Sequence, residues 1–80
     1  MDVKQKTFEI LAKVSGQGAE NITPEMELVS NLNIDSPKAL QLLVELEDAF
    51  EIEIEDEDAA KMDRVQDVLD YLQGRGLIPA

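Results

Sequence analysis

Val3, Thr7, Ile10, Leu11 and Val14 recur at steps of three and four residues, the spacing that aligns side chains on one face of an α-helix. Phe8 falls off that line and is expected at its rim. Gly16 and Gly18 are expected to end the helix, because glycine adopts the left-handed cap conformation without steric cost. From 19 to 35 the periodicity disappears. Thr23-Pro24 interrupts regular structure, while Ile22, Met26, Leu28, Val29, Leu32 and Ile34 supply scattered apolar anchors, so the stretch reads as a long loop pinned over a core. Periodicity returns at Ser36-Pro37, with Ser36 expected as N-cap and Pro37 as first helical residue. Ala39, Leu40, Leu43, Leu46 and Phe50 form the predicted buried line of this second helix, with Glu47 intruding on it. Gln41, Val44, Glu45 and Asp48 fall on a separate side, toward solvent or a partner.

Residues 51–55 alternate Glu-Ile-Glu-Ile-Glu, a period-two pattern. No second run offers itself for pairing, and a lone strand is not stable. An extended loop with Ile52 and Ile54 turned inward is the better reading. A short helical turn is expected over 58–62. Asp63, three residues before Gln66, has the spacing of a capping box for a last helix. Val65, Val68, Leu69 and Leu72 are its apolar stripe, and Gly74, Gly76 and Pro79 stop it. The pattern predicts an all-α fold: three main helices, one short one and a long first loop.

Composition bounds what such a fold can do. Eighty residues with 44% apolar content suit one small domain with a packed core. Eighteen acidic against seven basic residues give a net charge of −11. That field repels phosphate backbones and anionic membranes, so neither nucleic acid nor membrane is expected as a partner, and basic protein patches are the complement. Residues 35–70 hold thirteen of the acids against three bases, which concentrates the charge on half the chain. A solubilising surface is the plainer explanation of the same asymmetry. The chain has neither Cys nor His, so it lacks a thiolate nucleophile, a disulfide and the commonest general base and metal ligand. No signal segment or bilayer-spanning run is visible, and the cytoplasm is the expected compartment.

Few residues can carry chemistry. The acidic run from Glu51 to Asp58 offers oxygen ligands, but no glycine lies between residues 19 and 73, so the calcium-loop motif fails and no metal site is expected. A paired-carboxylate hydrolase is improbable in a chain this short. Ser36 as a triad nucleophile fails for want of a histidine. Ser36 matters for a different reason. Beside Asp35 at the start of a helix, it sits where backbone N–H groups and the positive end of the helix dipole favour an anion, so a phosphate ester on its hydroxyl is accommodated. A serine that merely caps the helix accounts for the same residues.

Asp35-Ser36, the helix ending Val44-Glu45-Leu46-Glu47-Asp48-Ala49-Phe50, then Ile52-Glu53-Ile54 and Asp56-Glu57-Asp58-Ala59 resemble an acyl carrier protein. The resemblance extends to Leu28-Val29-Ser30-Asn31-Leu32 before the serine and to Val65-Gln66-Asp67-Val68 in the last helix. It implies a four-helix bundle with helices near 2–15, 36–50, 57–62 and 64–74, forming a single carrier domain over residues 1–80. It implies that Ser36, with Asp35 beside it, bears 4′-phosphopantetheine from coenzyme A, and that acyl chains ride on the arm's thiol as thioesters between enzymes of fatty acid, lipid or polyketide synthesis. The chain is then a carrier and no enzyme. Phosphopantetheinyl transferase and acyl-transferring and synthase enzymes with basic patches are the implied partners of a monomer. They would dock on Pro37, Lys38, Gln41, Val44, Glu45, Glu47 and Asp48. Leu40, Leu43, Leu46, Ile54, Met62 and Leu69 are the implied lining of an acyl pocket, although an ordinary core uses the same residue types. An aminoacyl or peptidyl carrier of the same fold, and an unmodified acidic helical interaction module, are the alternatives.

The chain departs from the family pattern at the serine. Pro37 stands where leucine is usual, Lys38 where an acid is common, Gln41 where Glu is frequent, and Asn33 where glycine is frequent. Asparagine also tolerates left-handed backbone. The changes alter the surface that enzymes read and point to a specialised member with its own partners.

Overall fold

The computed structural model describes residues 2–79. Its helices are α1 (Val3–Ser15), α2 (Ser36–Phe50), α3 (Asp56–Ala59) and α4 (Val65–Gly74), with a 3₁₀ turn at Ala19–Asn21. Among the described residues there is no strand, only an isolated bridge between Glu27 and Arg64. The fold is all-α, as the periodicity predicts.

Of the expected line α1 buries Thr7, Ile10, Leu11 and Val14, while Val3 packs half-buried against the core, as does Phe8 beside the line. Thr7 is fully buried without cost in hydrogen bonding, because its hydroxyl donates to the Val3 carbonyl at 2.7 Å. The helix starts on the Asp2 carboxylate, which accepts the Gln5 N–H, and ends at Gly16 with φ 79°. Gly18 has no part in that cap and precedes the 3₁₀ turn instead.

The stretch from 19 to 35 is more ordered than its lack of periodicity suggests. Leu28 N–H donates to the Asp63 carbonyl at 2.9 Å, Val65 N–H to Met26 at 3.0 Å, and Gln66 N–H to Pro24 at 2.9 Å. The segment is therefore stitched to the start of α4, with an Arg64–Glu27 ion pair at 3.6 Å outside. These partners lie some forty residues apart, which no local pattern reveals. Ile22, Leu28, Leu32 and Ile34 anchor it in the core, whereas Val29 is exposed.

On α2 the buried line is Leu42, Leu46 and Phe50; Ala39 and Leu43 pack only half-buried at its edge. Leu42 was not in the predicted line, and Leu40, which was, points to solvent. Both sets satisfy three- and four-residue spacing, and packing against α1 selects between them. Glu51 closes α2 with φ 53°, a left-handed position occupied by a non-glycine residue. The extended 51–55 segment follows the sequence reading: Ile54 is buried and Ile52 packs against the core. Glu47 is no defect in the stripe, since its carboxylate accepts the Ile54 N–H at 2.9 Å and holds this segment on α2.

α3 is four residues long and lies earlier than the 57–62 expected, its three acids grouped at the N-terminus where the helix dipole favours them. α4 buries Val65, Val68, Leu69 and Leu72. Its start differs from expectation. Arg64, not Asp63, is the N-cap, and the Asp67 carboxylate reaches back to the N–H groups of Asp63 and Arg64, at 2.9 Å each. Gln66 turns to Asp70 instead. A single carboxylate inside the first turn thereby satisfies two backbone donors at the helix start.

Candidate functional site

The approach to α2 is held on both sides of the serine. Ile34 is 1% exposed and its N–H donates to the Leu28 carbonyl at 2.9 Å. Asn33 takes φ 56°, the left-handed geometry its side chain tolerates. The next turn is set by Asp35, which adopts extended backbone and accepts the Lys38 N–H on its carboxylate at 3.2 Å. Asp35 is thus the N-cap, one position earlier than the sequence reading placed it, with Ser36 the first helical residue and Pro37 the second. Both residue types cap well, but a carboxylate also meets the positive end of the dipole. The consequence is chemical. Ser36 is exposed and its hydroxyl stands outside the cap, on a backbone fixed by Ile34 before it and a helix after it.

The other candidate residues divide. Pro37, Gln41, Val44 and Asp48 are exposed on α2, and Lys38 is half-buried. Glu45 is half-buried and paired with Lys13 of α1, and Glu47 is engaged with Ile54. Of the residues read as an acyl pocket, Leu46, Ile54 and Leu69 are in the core, and Leu43 and Met62 pack against it. Leu40 is excluded from that interior: it is 64% exposed, on the same side of the helix as Ser36, four residues on. The roles of Asp35 and Glu47 were missed. The capping preference of aspartate was a signal for the first; nothing local announced the second.

An exposed hydroxyl at a helix N-terminus, free of the cap, suits a covalent phosphate-linked group, because the dipole favours the anion and no buried partner is lost. Residues 5–72 match the family model described as the phosphopantetheine attachment site. An acyl carrier protein of Syntrophus aciditrophicus is 38% identical over 77 residues, covering 96% of each chain. Among solved structures, the acyl carrier protein of Enterococcus faecalis overlays with a TM-score of 0.76 at 34% identity, over 92% of this chain and 98% of that one. A chain from Mycobacterium tuberculosis shares the fold at a TM-score of 0.85 and 30% identity, over 91% and 97%.

The chain belongs to the acyl carrier protein family. It is a carrier and not an enzyme, and 4′-phosphopantetheine is its prosthetic group, whose thiol holds acyl groups as thioesters. This resolves how a chain without cysteine takes part in thioester chemistry. Its partners include phosphopantetheinyl transferase and synthase enzymes. No helix among the described residues is long and apolar enough to cross a membrane.

Proposed function

We propose that Ser36 is the attachment residue and that the chain is one carrier domain, monomeric and cytoplasmic, serving acyl transfer in fatty acid, lipid or polyketide synthesis. The observation that carries this reading is the exposed Ser36 hydroxyl, left outside the cap by Asp35. Asp35 fixes the first turn of α2, and the open N–H groups of that turn stabilise a phosphodiester on the serine. Held at one end of a rigid helix, the flexible arm raises the local concentration of its thioester at each docked enzyme.

The exposed Pro37, Gln41, Val44 and Asp48 of α2, together with the half-buried Lys38, form the surface those enzymes meet. The net charge of −11 draws in basic patches, and the association rate should fall as salt screens it. Leu43, Leu46, Ile54, Met62 and Leu69 form the interior that shelters an acyl chain. Leu46, Ile54 and Leu69 are packed, so a chain reaches them only by displacing core contacts.

Intact mass after incubation with coenzyme A, Mg²⁺ and a broad-specificity phosphopantetheinyl transferase tests the assignment. One added phosphopantetheine on the wild type and none on Ser36→Ala is expected. Loading that survives Ser36→Ala would move the attachment site elsewhere.

A further inference from the structure

The segment from 51 to 62, between α2 and α4, is fixed chiefly at one point. Ile54 is its only fully buried side chain, and α3 within it buries none. Ile52, Ala59 and Met62 rest half-buried against the core. Among the described residues, the backbone hydrogen bonds of 55–62 close within that stretch. Between α3 and α4 lies an open hollow of about 280 Å³, lined in part by Met62 and Tyr71, so close packing does not hold α3 on α4.

The Glu53–Ile54 peptide unit is instead gripped at both ends. Its N–H donates to the Glu47 carboxylate of α2 at 2.9 Å. Its carbonyl accepts from Arg75 Nη1, just beyond α4, at 3.2 Å. The same nitrogen donates to the Tyr71 hydroxyl at 3.0 Å, and the guanidinium carbon lies 5.8 Å from the centroid of the Tyr71 ring, which orients it. An anion thus meets the positive end of one peptide dipole and a cation the negative end. Both bonds are charge-assisted, the stronger class. Among the described residues this is the one peptide unit held at both ends by side chains.

We propose that Glu47 and Arg75 are positioning residues for the carried acyl group: they latch Ile54 over the interior, and a chain is sheltered only when it is long enough to displace that latch. The proposal rests on the reading that Leu43, Leu46, Ile54, Met62 and Leu69 shelter the chain. Burial of an acyl chain becomes more favourable with every methylene, whereas releasing one peptide costs the same whatever the chain. The two cross at a threshold length. Shorter groups stay in solvent, and longer ones move Ile54 aside. The latch therefore selects, by length, which thioesters travel protected.

Amide hydrogen exchange of the unloaded chain, followed by NMR, reads the latch alone. The Ile54 N–H should exchange faster than that of Leu11 in α1 and respond less to low urea, because the segment opens without the rest of the fold. Arg75 does not touch that N–H, yet Arg75→Ala should speed its exchange by about tenfold. An unchanged Ile54 rate, or one that follows Leu11 at every urea concentration, overturns the latch. Butyryl, hexanoyl, octanoyl and decanoyl phosphopantetheine, loaded by the transferase, then locate the threshold as the shortest group that shifts the Leu46 and Leu69 amide resonances. A tenfold easier opening is equivalent to burying about two methylenes, so the threshold should be about two carbons shorter in Arg75→Ala than in the parent. An equal threshold overturns the positioning role, whatever the exchange rates. A parent in which even the decanoyl group shifts neither resonance overturns the sheltered interior and the threshold with it, a failure told apart from that of the latch because exchange is read with no acyl group present.

Discussion

Along α2, Leu42, Leu46 and Phe50 are buried, while Leu40 and Val44, of the same residue class, are exposed. The two lines differ in what lies opposite them. The first faces α1 and the rest of the core, where each side chain is removed from water and held by close contacts. The second starts at Ser36 and lies outside the core formed by the described residues. Apolar character alone therefore does not mark the core of this helix. The inner line holds the fold together, and the outer one takes no part in the core.

The largest effect that tests this contrast is in stability. Leu46→Ala removes a fully buried side chain and should cost about 2–5 kcal/mol, a large share of the roughly 5–15 kcal/mol typical of a domain. Leu40→Ala should cost no more than about 0.5 kcal/mol. Urea midpoints of the two variants measure both, and comparable losses would erase the distinction between the lines. A middle-sized effect concerns the helix start. Asp35→Ala should lower stability by about 1 kcal/mol through loss of the cap. Ser36→Ala should stay within about 0.5 kcal/mol of the parent while losing its mass gain with coenzyme A. The opposite ranking in thermal unfolding would return the cap to the serine. The smallest effect is at the other end. Glu51 occupies a left-handed position, φ 53°, that glycine enters without strain. Glu51→Gly should raise stability by about 0.5–1 kcal/mol, and a loss would mean that the glutamate side chain contributes there.

Much of the fold was legible in the chain. The stripe of α1, the stripe of α4 and the inward turn of Ile52 and Ile54 follow from spacing, because neighbours on a helix face or an extended segment are also near in sequence. The ties between 24–28 and 63–66 were not legible, being backbone bonds between segments with no shared pattern. The candidate site divides the same way. Ser36 was singled out from its position at a helix start, while the identity of the capping side chain depended on which of two adjacent good caps came into reach of the Lys38 N–H. Glu47 looked misplaced in an apolar stripe until the returning chain brought Ile54 N–H against it.

By itself the sequence determined that helices form at these places, that the chain is strongly acidic, and that a serine opens the second main helix. Those are local or summed properties: the repeat of side chains along a few turns, and a count of charges. Only the tertiary structure decided that Leu42 goes in and Leu40 stays out, and that two of the α2 acids are already engaged. Spacing sets the angles between side chains on one helix, but the angle that faces inward is chosen by the other elements packed against it.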